Sequence, residues 1–179
     1  MTETEIINGC IKKDQQCQRL LFEKYAGIMM SLCQRYAKGE EETKDMMQEG
    51  FIRAFDCIHQ FKFEGSFEGW LRRVMSSVAV RMATKNKIVF SDIDMVDTDA
   101  ASVHPSVLSK LSEEEIHEMI SQLPQGYRLV FNLYVVEGYS HEEIGNMLGI
   151  EASTSRTQLT KARRLLQSLI VKQFNTVIL

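Results

Sequence analysis

The sequence predicts an all-α protein with two small helical domains joined by a flexible acidic linker, the second domain containing a helix-turn-helix. Only 10 glycines and 2 prolines interrupt the 179 residues, which disfavours a barrel or sandwich of many short strands. Apolar residues recur at helical spacing from Cys10 to Lys87 and again from Leu111 onward. Between these limits the periodicity fades and four aspartates appear. We therefore predict domains at residues 1–87 and 111–179 and a linker at residues 88–110.

Composition and charge exclude several classes of protein. No apolar run approaches the length that spans a bilayer, and the acidic N-terminus lacks the apolar segment of a signal peptide. The four cysteines form no CxxC pair, so we expect reduced thiols in a cytoplasmic protein without metal or cofactor. The net charge of −3 predicts no overall attraction to nucleic acid. The basic residues are nevertheless concentrated: five lie in residues 70–87 without an acidic residue, and five lie in residues 151–172 against one.

The first domain contains a predicted helix over Thr43–His59. Its apolar residues recur at i, i+4, i+7, i+8 and i+11 and form one face. Another face carries a polar stripe of Asp45, Gln48, Glu49 and Arg53. On spacing alone this stripe also fits an ordinary solvated surface, with an i,i+4 ion pair between Glu49 and Arg53.

A basic helix is predicted over Gly69–Lys85. Its buried stripe is predicted to contain Leu71, Val74, Met75, Val78 and Met82. The opposite side carries Arg73, Ser77, Arg81 and Lys85 at near i+4 steps, and Arg72 belongs to the same basic run. Arginine and small hydroxyl side chains can reach phosphates and base edges, so this face is a candidate nucleic-acid surface.

A glycine-bearing break precedes the basic helix and holds three phenylalanines. Lys62, Phe63 and Ser66 belong to this break, and aromatic rings beside a basic helix suit stacking on unpaired bases. The alternative is that the rings belong to the core. We expect core positions for Phe61, Phe67 and Trp70 and leave Phe63 open.

The second domain shows two capping boxes, Ser112 with Glu115 and Ser140 with Glu143. Leu123-Pro124 ends the first helix, and residues 126–136 form another helix stopped by Gly138. The short helix after Ser140 ends at Gly149, and a longer basic helix covers Glu151–Ile170, which together describe a helix-turn-helix. The second of these helices would bring toward bases or phosphates the side chains of Ser155, Arg156, Gln158, Lys161 and Arg163. An ordinary helical hairpin with a solvated basic face is the alternative.

Four segments, in this order, resemble the extracytoplasmic-function (ECF) sigma factors, the small two-domain members of the bacterial RNA polymerase sigma family. Residues 45–55, DMMQEGFIRAF, are similar to the family pattern D-L-x-Q-E-x-F-x-R-A-W. Residues 67–71, FEGWL, are similar to F-x-x-W-L. Residues 123–131, LPQGYRLVF, and 138–150, GYSHEEIGNMLGI, are similar to L-P-x-x-x-R-x-x-F and G-x-S-x-x-E-I-A-x-x-L-G-I.

The resemblance implies roles for these segments. It implies that Asp45, Gln48, Glu49 and Arg53 dock on the β′ clamp helices of core RNA polymerase. The loop from Lys62 to Phe67 would hold a base flipped out of the −10 promoter element, and the basic helix would melt the promoter. The second domain would read the −35 element and sit on the β flap, while the acidic linker would run toward the polymerase active-site cleft. An anti-sigma factor is an implied partner.

The sequence departs from the family pattern within both DNA-reading helices. After Trp70-Leu71 the family commonly shows Ile-Ala, then Asn, then Asp, where this chain has Val74-Met75, Ser77 and Arg81. The common G-T-V-K-S-R-L of the recognition helix appears as STSRTQL at residues 153–159. We therefore expect a divergent promoter preference.

Two other classes of function compete with this hypothesis. A stand-alone helix-turn-helix regulator would explain residues 111–172 but leaves the polar stripe of the first domain without a role. A metal or thiol enzyme acting on a small-molecule substrate would need clustered ligands, whereas the cysteines and the four histidines are scattered. We predict no enzymatic activity.

Overall fold

The computed structural model describes residues 1–85 and 112–177. The chain divides into two compact units, Met1–Lys85 and Asn86–Leu179. All regular structure in the described residues is helical, which confirms the predicted fold class. The predicted linker at residues 88–110 lies outside the described residues. Among the described helices, none combines the length and hydropathy needed to cross a bilayer.

The first unit has four α-helices. They are α1 (Glu3–Ile11), α2 (Gln15–Gln34), α3 (Glu40–Cys57) and α4 (Phe67–Ala83), with a 3₁₀ turn at Ile58–Gln60 after α3. The sequence analysis began the helical pattern near Cys10 and so missed α1. A capping box of Thr2 and Glu5 starts this helix and is visible in the sequence.

The starts of α3 and α4 differ from the predicted boundaries. Helix α3 begins at Glu40 rather than Thr43, with three glutamates in its first turn, where acidic side chains favour the positive end of the helix dipole. Helix α4 begins at Phe67 rather than Gly69 because the Ser66 hydroxyl accepts a hydrogen bond from the Gly69 N–H at 3.1 Å. Both helices therefore start earlier than predicted, α4 with a side-chain cap from Ser66 and α3 without one at Gly39.

The core of the first unit lies where α2, α3 and α4 meet. Leu32, Met46 and Leu71 are fully buried there. Helices α3 and α4 approach closely at Gly50, where an added Cβ would lie 2.3 Å from Met75 Sδ. The predicted buried stripe of α4 is correct at Leu71, Met75 and Val78, whereas Val74 and Met82 are only half-buried. The α4 core face also includes Ser76, Ala79, Val80 and Ala83.

The second unit also has four α-helices in its described residues. They are α5 (Glu113–Ser121), α6 (Gln125–Phe131), α7 (His141–Leu148) and α8 (Ala152–Val177). The helix predicted over residues 126–136 changes to a π-helical turn at Asn132–Val136. Both predicted capping boxes form, with Ser112 and Ser140 as N-caps. Leu123, Tyr127 and Ala162 form a buried cluster, against which Phe131, Leu165 and Leu166 pack.

Helices α7 and α8 form the predicted helix-turn-helix. Gly149 ends α7 in the left-handed conformation, with φ of 67°. The Ile150 N–H donates to the Gly145 carbonyl at 3.0 Å, and a Cβ added at Gly145 would lie 2.6 Å from the Ile150 carbonyl oxygen. In this chain the turn therefore closes directly against Gly145, and a larger residue there would have to displace the backbone at Ile150. Helix α8 continues beyond the predicted end at Ile170.

Candidate functional site

The polar stripe predicted on α3 lies on its exposed side. Asp45, Gln48, Glu49 and Arg53 are all exposed, while the opposite face buries Met46 and other apolar side chains. We call these four residues the docking stripe. The described residues contain no ion pair between Glu49 and Arg53; Glu49 Oε1 instead accepts a hydrogen bond from Arg81 Nη2 of α4 at 3.0 Å. The stripe is therefore tied to the basic helix beside it.

An apolar groove runs beside the docking stripe between α2 and α3. Its volume is about 420 Å³, and it is lined by Phe22, Met30, Lys44, Met47, Gln48, Phe51, Ile52 and Phe55. Phe22 is 40% exposed and Ile52 49% exposed, and the Phe22 and Phe51 rings lie 4.8 Å apart. The sequence analysis missed this surface. The sequence indicates this groove only through Ile52, an apolar residue that falls beside the polar stripe rather than on the buried face of α3.

The basic face of α4 is exposed as predicted. Arg73, Ser77 and Arg81 lie on the exposed side of the helix, and Lys85, predicted to end it, is exposed two residues beyond its end at Ala83. Arg72 is half-buried, and its Nη1 lies 4.0 Å from Glu68 Oε1. A cleft of about 640 Å³ separates this face from the docking stripe and is lined by Asp45, Gln48, Glu49, Ile52, Arg81, Met82 and Lys85. Acidic groups from α3 and basic groups from α4 thus face one another across the cleft.

The loop before α4 forms a small pocket. Phe61 and Phe67 are buried with their rings 5.2 Å apart, so the expectation that they belong to the core is confirmed, while Trp70 is half-buried. Phe63 is 46% exposed and has a positive φ of 59°, which is uncommon for a residue other than glycine. The pocket has a volume of about 410 Å³ and is lined by Gln60, Phe61, Lys62, Glu64, Ser66, Gly69, Trp70 and Arg73.

The recognition helix α8 presents a different face from the predicted one. Ser155 is fully buried and Gln158 is 3% exposed, so the expectation that both side chains reach DNA is wrong. Each lies three or four residues from the buried Leu159 or Ala162, on the side of α8 that packs into the unit. The predicted Arg156 and Arg163 are exposed, and Lys161 is half-buried.

The exposed face of α8 contains residues that the sequence analysis missed. At i, i+3, i+4, i+7, i+10 and i+11 it carries Ser153, Arg156, Thr157, Thr160, Arg163 and Arg164. Counting i+4 and i+7 from Ser153 would have found Thr157 and Thr160. The Arg156 guanidinium lies 3.7 Å from Glu142 Oε1 of α7, and both side chains are largely exposed.

Comparison with known proteins assigns a family region to each unit. The family Sigma-70 region 2 matches residues 21–88, and the family Sigma-70, region 4 matches residues 113–166. The RNA polymerase sigma-H factor of Pseudomonas aeruginosa is 25% identical over 173 residues, which cover 90% of each chain. The ECF RNA polymerase sigma-E factor of Haemophilus influenzae is 24% identical over 182 residues, which cover 95% of this chain and 96% of the relative.

A solved structure shares the fold. It is the sigma factor RpoE from Bartonella quintana, crystallised with the anti-sigma factor NepR. The TM-score is 0.55 at 17% identity, over 86% of this chain and 96% of that chain. The two region matches lie in separate units, and the matches to these two relatives cover at least 90% of both chains. These findings confirm the family predicted from the motifs: the chain belongs to the sigma-70 family and is an RNA polymerase sigma factor of the ECF type.

Proposed function

We propose that this chain binds core RNA polymerase in the cytoplasm and directs promoter-specific initiation, with its first unit acting at the −10 element and its second at the −35 element. The observation that carries the proposal is that region 2 and region 4 matches fall on separate units, each presenting an exposed cationic helix face. Within this proposal, residues 88–110 form the linker between the two readers. Sigma factors act through binding, so no covalent chemistry is assigned to the chain.

The docking stripe is the proposed contact with the β′ clamp of the polymerase. Asp45, Gln48, Glu49 and Arg53 are exposed along one side of α3. The apolar groove beside them exposes Phe22 and could bury apolar surface from the same partner. A polar stripe next to an apolar groove is the arrangement expected of a specific protein interface, with orientation set by charge and affinity supplied by burial.

The loop and basic helix of the first unit are the proposed −10 reader. The pocket beside Lys62, Ser66 and Trp70 is large enough for a nucleobase. The exposed Phe63 directly follows Lys62, which lines the pocket. Capturing a flipped base offsets an unstacking cost of a few kcal/mol per step. The cationic face that would follow the phosphates includes Arg72, Arg73, Ser77 and Lys85.

The outward face of α8 is the proposed −35 reader. Arg156, Lys161 and Arg163 retain the role proposed from the sequence, while the buried Ser155 and Gln158 act only through the packing of the helix. Thr157 and Thr160 join the reader because both are exposed, and their hydroxyls, which donate to the Ser153 and Arg156 carbonyls, can still accept a hydrogen bond. An exposed apolar patch of Tyr134, Val135 and Val136 at the end of the π-helical turn is the proposed contact with the β flap.

An anti-sigma factor is a further proposed partner. The structural relative RpoE was crystallised with the anti-sigma factor NepR. The apolar groove between α2 and α3 supports this part of the proposal, since a regulator that covers it would also block the adjacent docking stripe. The alternative of a stand-alone regulator explains neither the groove nor the region 2 match.

Charge reversal of the docking stripe tests the proposal. Glu49→Lys combined with Arg53→Glu should weaken binding to core polymerase by about a hundredfold or more, because like charges would face the partner. Circular dichroism should show unchanged folding, since both side chains are exposed. The matched control is Arg19→Glu with Glu23→Arg, which reverses an exposed i,i+4 pair in α2 and should bind normally. Equal core binding by the stripe variant and the control would contradict the proposal.

A further inference from the structure

The hydrogen bond between Arg81 and Glu49 joins two surfaces to which the proposed function gives different partners. Glu49 belongs to the docking stripe of α3, whereas Arg81 lies on the basic face of α4. The Arg81 Nη2 donates to Glu49 Oε1 at 3.0 Å across 32 residues of sequence. An arginine that donates to a carboxylate has fewer N–H groups left to offer a phosphate.

The setting of the pair favours a role at the docking stripe. Arg81 and Glu49 both line the cleft between α3 and α4, together with the apolar side chains Ile52 and Met82. The Glu49 side chain is 47% exposed, and the bond occupies Oε1 alone, so Oε2 can still accept a hydrogen bond from a partner. Arg81 thus restrains the Glu49 carboxylate and leaves it accessible to a partner.

We propose that Arg81 is a positioning residue of the docking stripe: it holds the Glu49 carboxylate ready for core polymerase and does not contact promoter DNA. The inference rests on the proposed function. A free glutamate side chain samples several rotamers and loses that freedom on binding. Arg81 already restricts the Glu49 side chain in the free protein. Binding to the partner therefore loses less side-chain entropy than it would with a mobile glutamate. Arg81 is accordingly removed from the −10 reader.

A double-mutant cycle on core binding tests the inference. The four proteins are the wild-type chain, Arg81→Ala, Glu49→Ala and the double variant, because alanine at residue 49 removes the oxygen that accepts from Arg81. Arg81→Ala should weaken core binding about two- to fivefold in the wild-type background, the range expected for an exposed ion pair. It should cause no further loss in the Glu49→Ala background, and Arg81→Lys should restore part of the affinity. An equal loss in both backgrounds, or no loss in either, would overturn the inference.

Promoter binding by the assembled holoenzyme supplies a second readout. Arg81→Ala should leave the dependence of promoter affinity on salt unchanged, whereas Arg73→Ala on the same helix should reduce its slope by about one. A slope reduced equally by Arg81→Ala would show a phosphate contact and overturn the inference. The control Arg19→Ala removes an arginine that lies 2.8 Å from Glu23 in another exposed pair, and it should change neither readout.

The outcomes separate this inference from the function on which it rests. A wild-type chain that does not bind core polymerase would overturn the proposed function and the inference together. A wild-type chain that binds, but whose Arg81 and Glu49 variants show no coupling, would overturn the inference alone.

Discussion

His141 Nδ1 lies 2.9 Å from the hydroxyl oxygen of Ser155, and this hydrogen bond joins the two helices of the helix-turn-helix. The Ser155 side chain is fully buried, so the imidazole supplies the partner that a buried hydroxyl requires. On its other side the ring stacks on Tyr134, with centroids 4.4 Å apart and planes inclined by 18°. His141 is thus part of the joint between the two helices of the helix-turn-helix.

The stability of this joint should depend on pH. Burial is the main reason that the pKa of His141 lies below its ordinary value, and Arg156 lowers it further while Glu142 opposes the shift. The unfolded chain therefore takes up a proton at a higher pH than the folded chain. The stabilisation is present above about pH 6.5 and is lost as the pH falls through the lower folded pKa.

Hydrogen exchange of α7 between acidic and neutral pH measures this effect. Protection in the wild-type chain, after correction for the intrinsic exchange rate, should fall as the solution is acidified. His141→Gln keeps a polar group at the position but does not titrate, so its protection should change less over the same range. Identical pH dependence in the two proteins would contradict the assignment to His141.

Because Gln158 is buried, we expect any effect of its substitution to be on the stability of the fold and not on the binding of DNA. Its Oε1 is buried without a hydrogen-bond partner among the described residues. Replacing such a group with an apolar side chain of similar size removes a desolvation cost, so Gln158→Met should leave the free energy of unfolding unchanged or raise it by about 1 kcal/mol. Binding to −35 DNA should be retained. Weaker DNA binding at unchanged stability would instead show that Gln158 reaches the DNA.

The turn of the helix-turn-helix should tolerate no branched side chain at Gly145. A Cβ there would lie 2.6 Å from the Ile150 carbonyl oxygen, a backbone atom that moves only with the turn. Gly145→Val should lower the free energy of unfolding by about 1–3 kcal/mol and weaken binding to −35 DNA, as measured by urea denaturation and DNA titration. The control is Gly27→Val in α2, where an added Cβ meets no atom within 4 Å. Equal stability of the two variants would disprove the close approach.

The cysteine thiols should react slowly in the folded chain. All four are buried and unbonded, and burial raises the pKa of Cys10 to about 11 and that of Cys33 to about 12. The reactive thiolate is therefore scarce at neutral pH. Labelling with a thiol reagent should be at least about tenfold slower in buffer than in denaturant. Rapid stoichiometric labelling of the folded chain would contradict this expectation.

Features that depend on neighbouring residues could be predicted from the sequence. The capping boxes at Ser112 and Ser140 form as expected because a capping box needs only four residues of local sequence. The same signal at Thr2 also starts a helix, and attention to it would have found α1. The family motifs likewise identified both regions because each motif is contiguous.

Features that depend on tertiary contacts could not be predicted in this way. Local spacing favoured Arg53 as the partner of Glu49, but the packing of α4 against α3 brings Arg81 to it instead. Polar residue type suggested that Ser155 and Gln158 face DNA, whereas the side on which α8 packs determines their burial. The apolar groove at Phe22 and Ile52 requires two helices to meet, so neither helix reveals it alone.

Run-off transcription with purified core polymerase tests the central claim most directly. The purified chain is added to core enzyme on a library of promoter DNA, and the 5′ ends of the transcripts are mapped. We expect new start sites at a defined distance from a shared pair of upstream elements, and we expect their loss with the Glu49→Lys, Arg53→Glu variant. Start sites that are the same with and without the chain would contradict this claim.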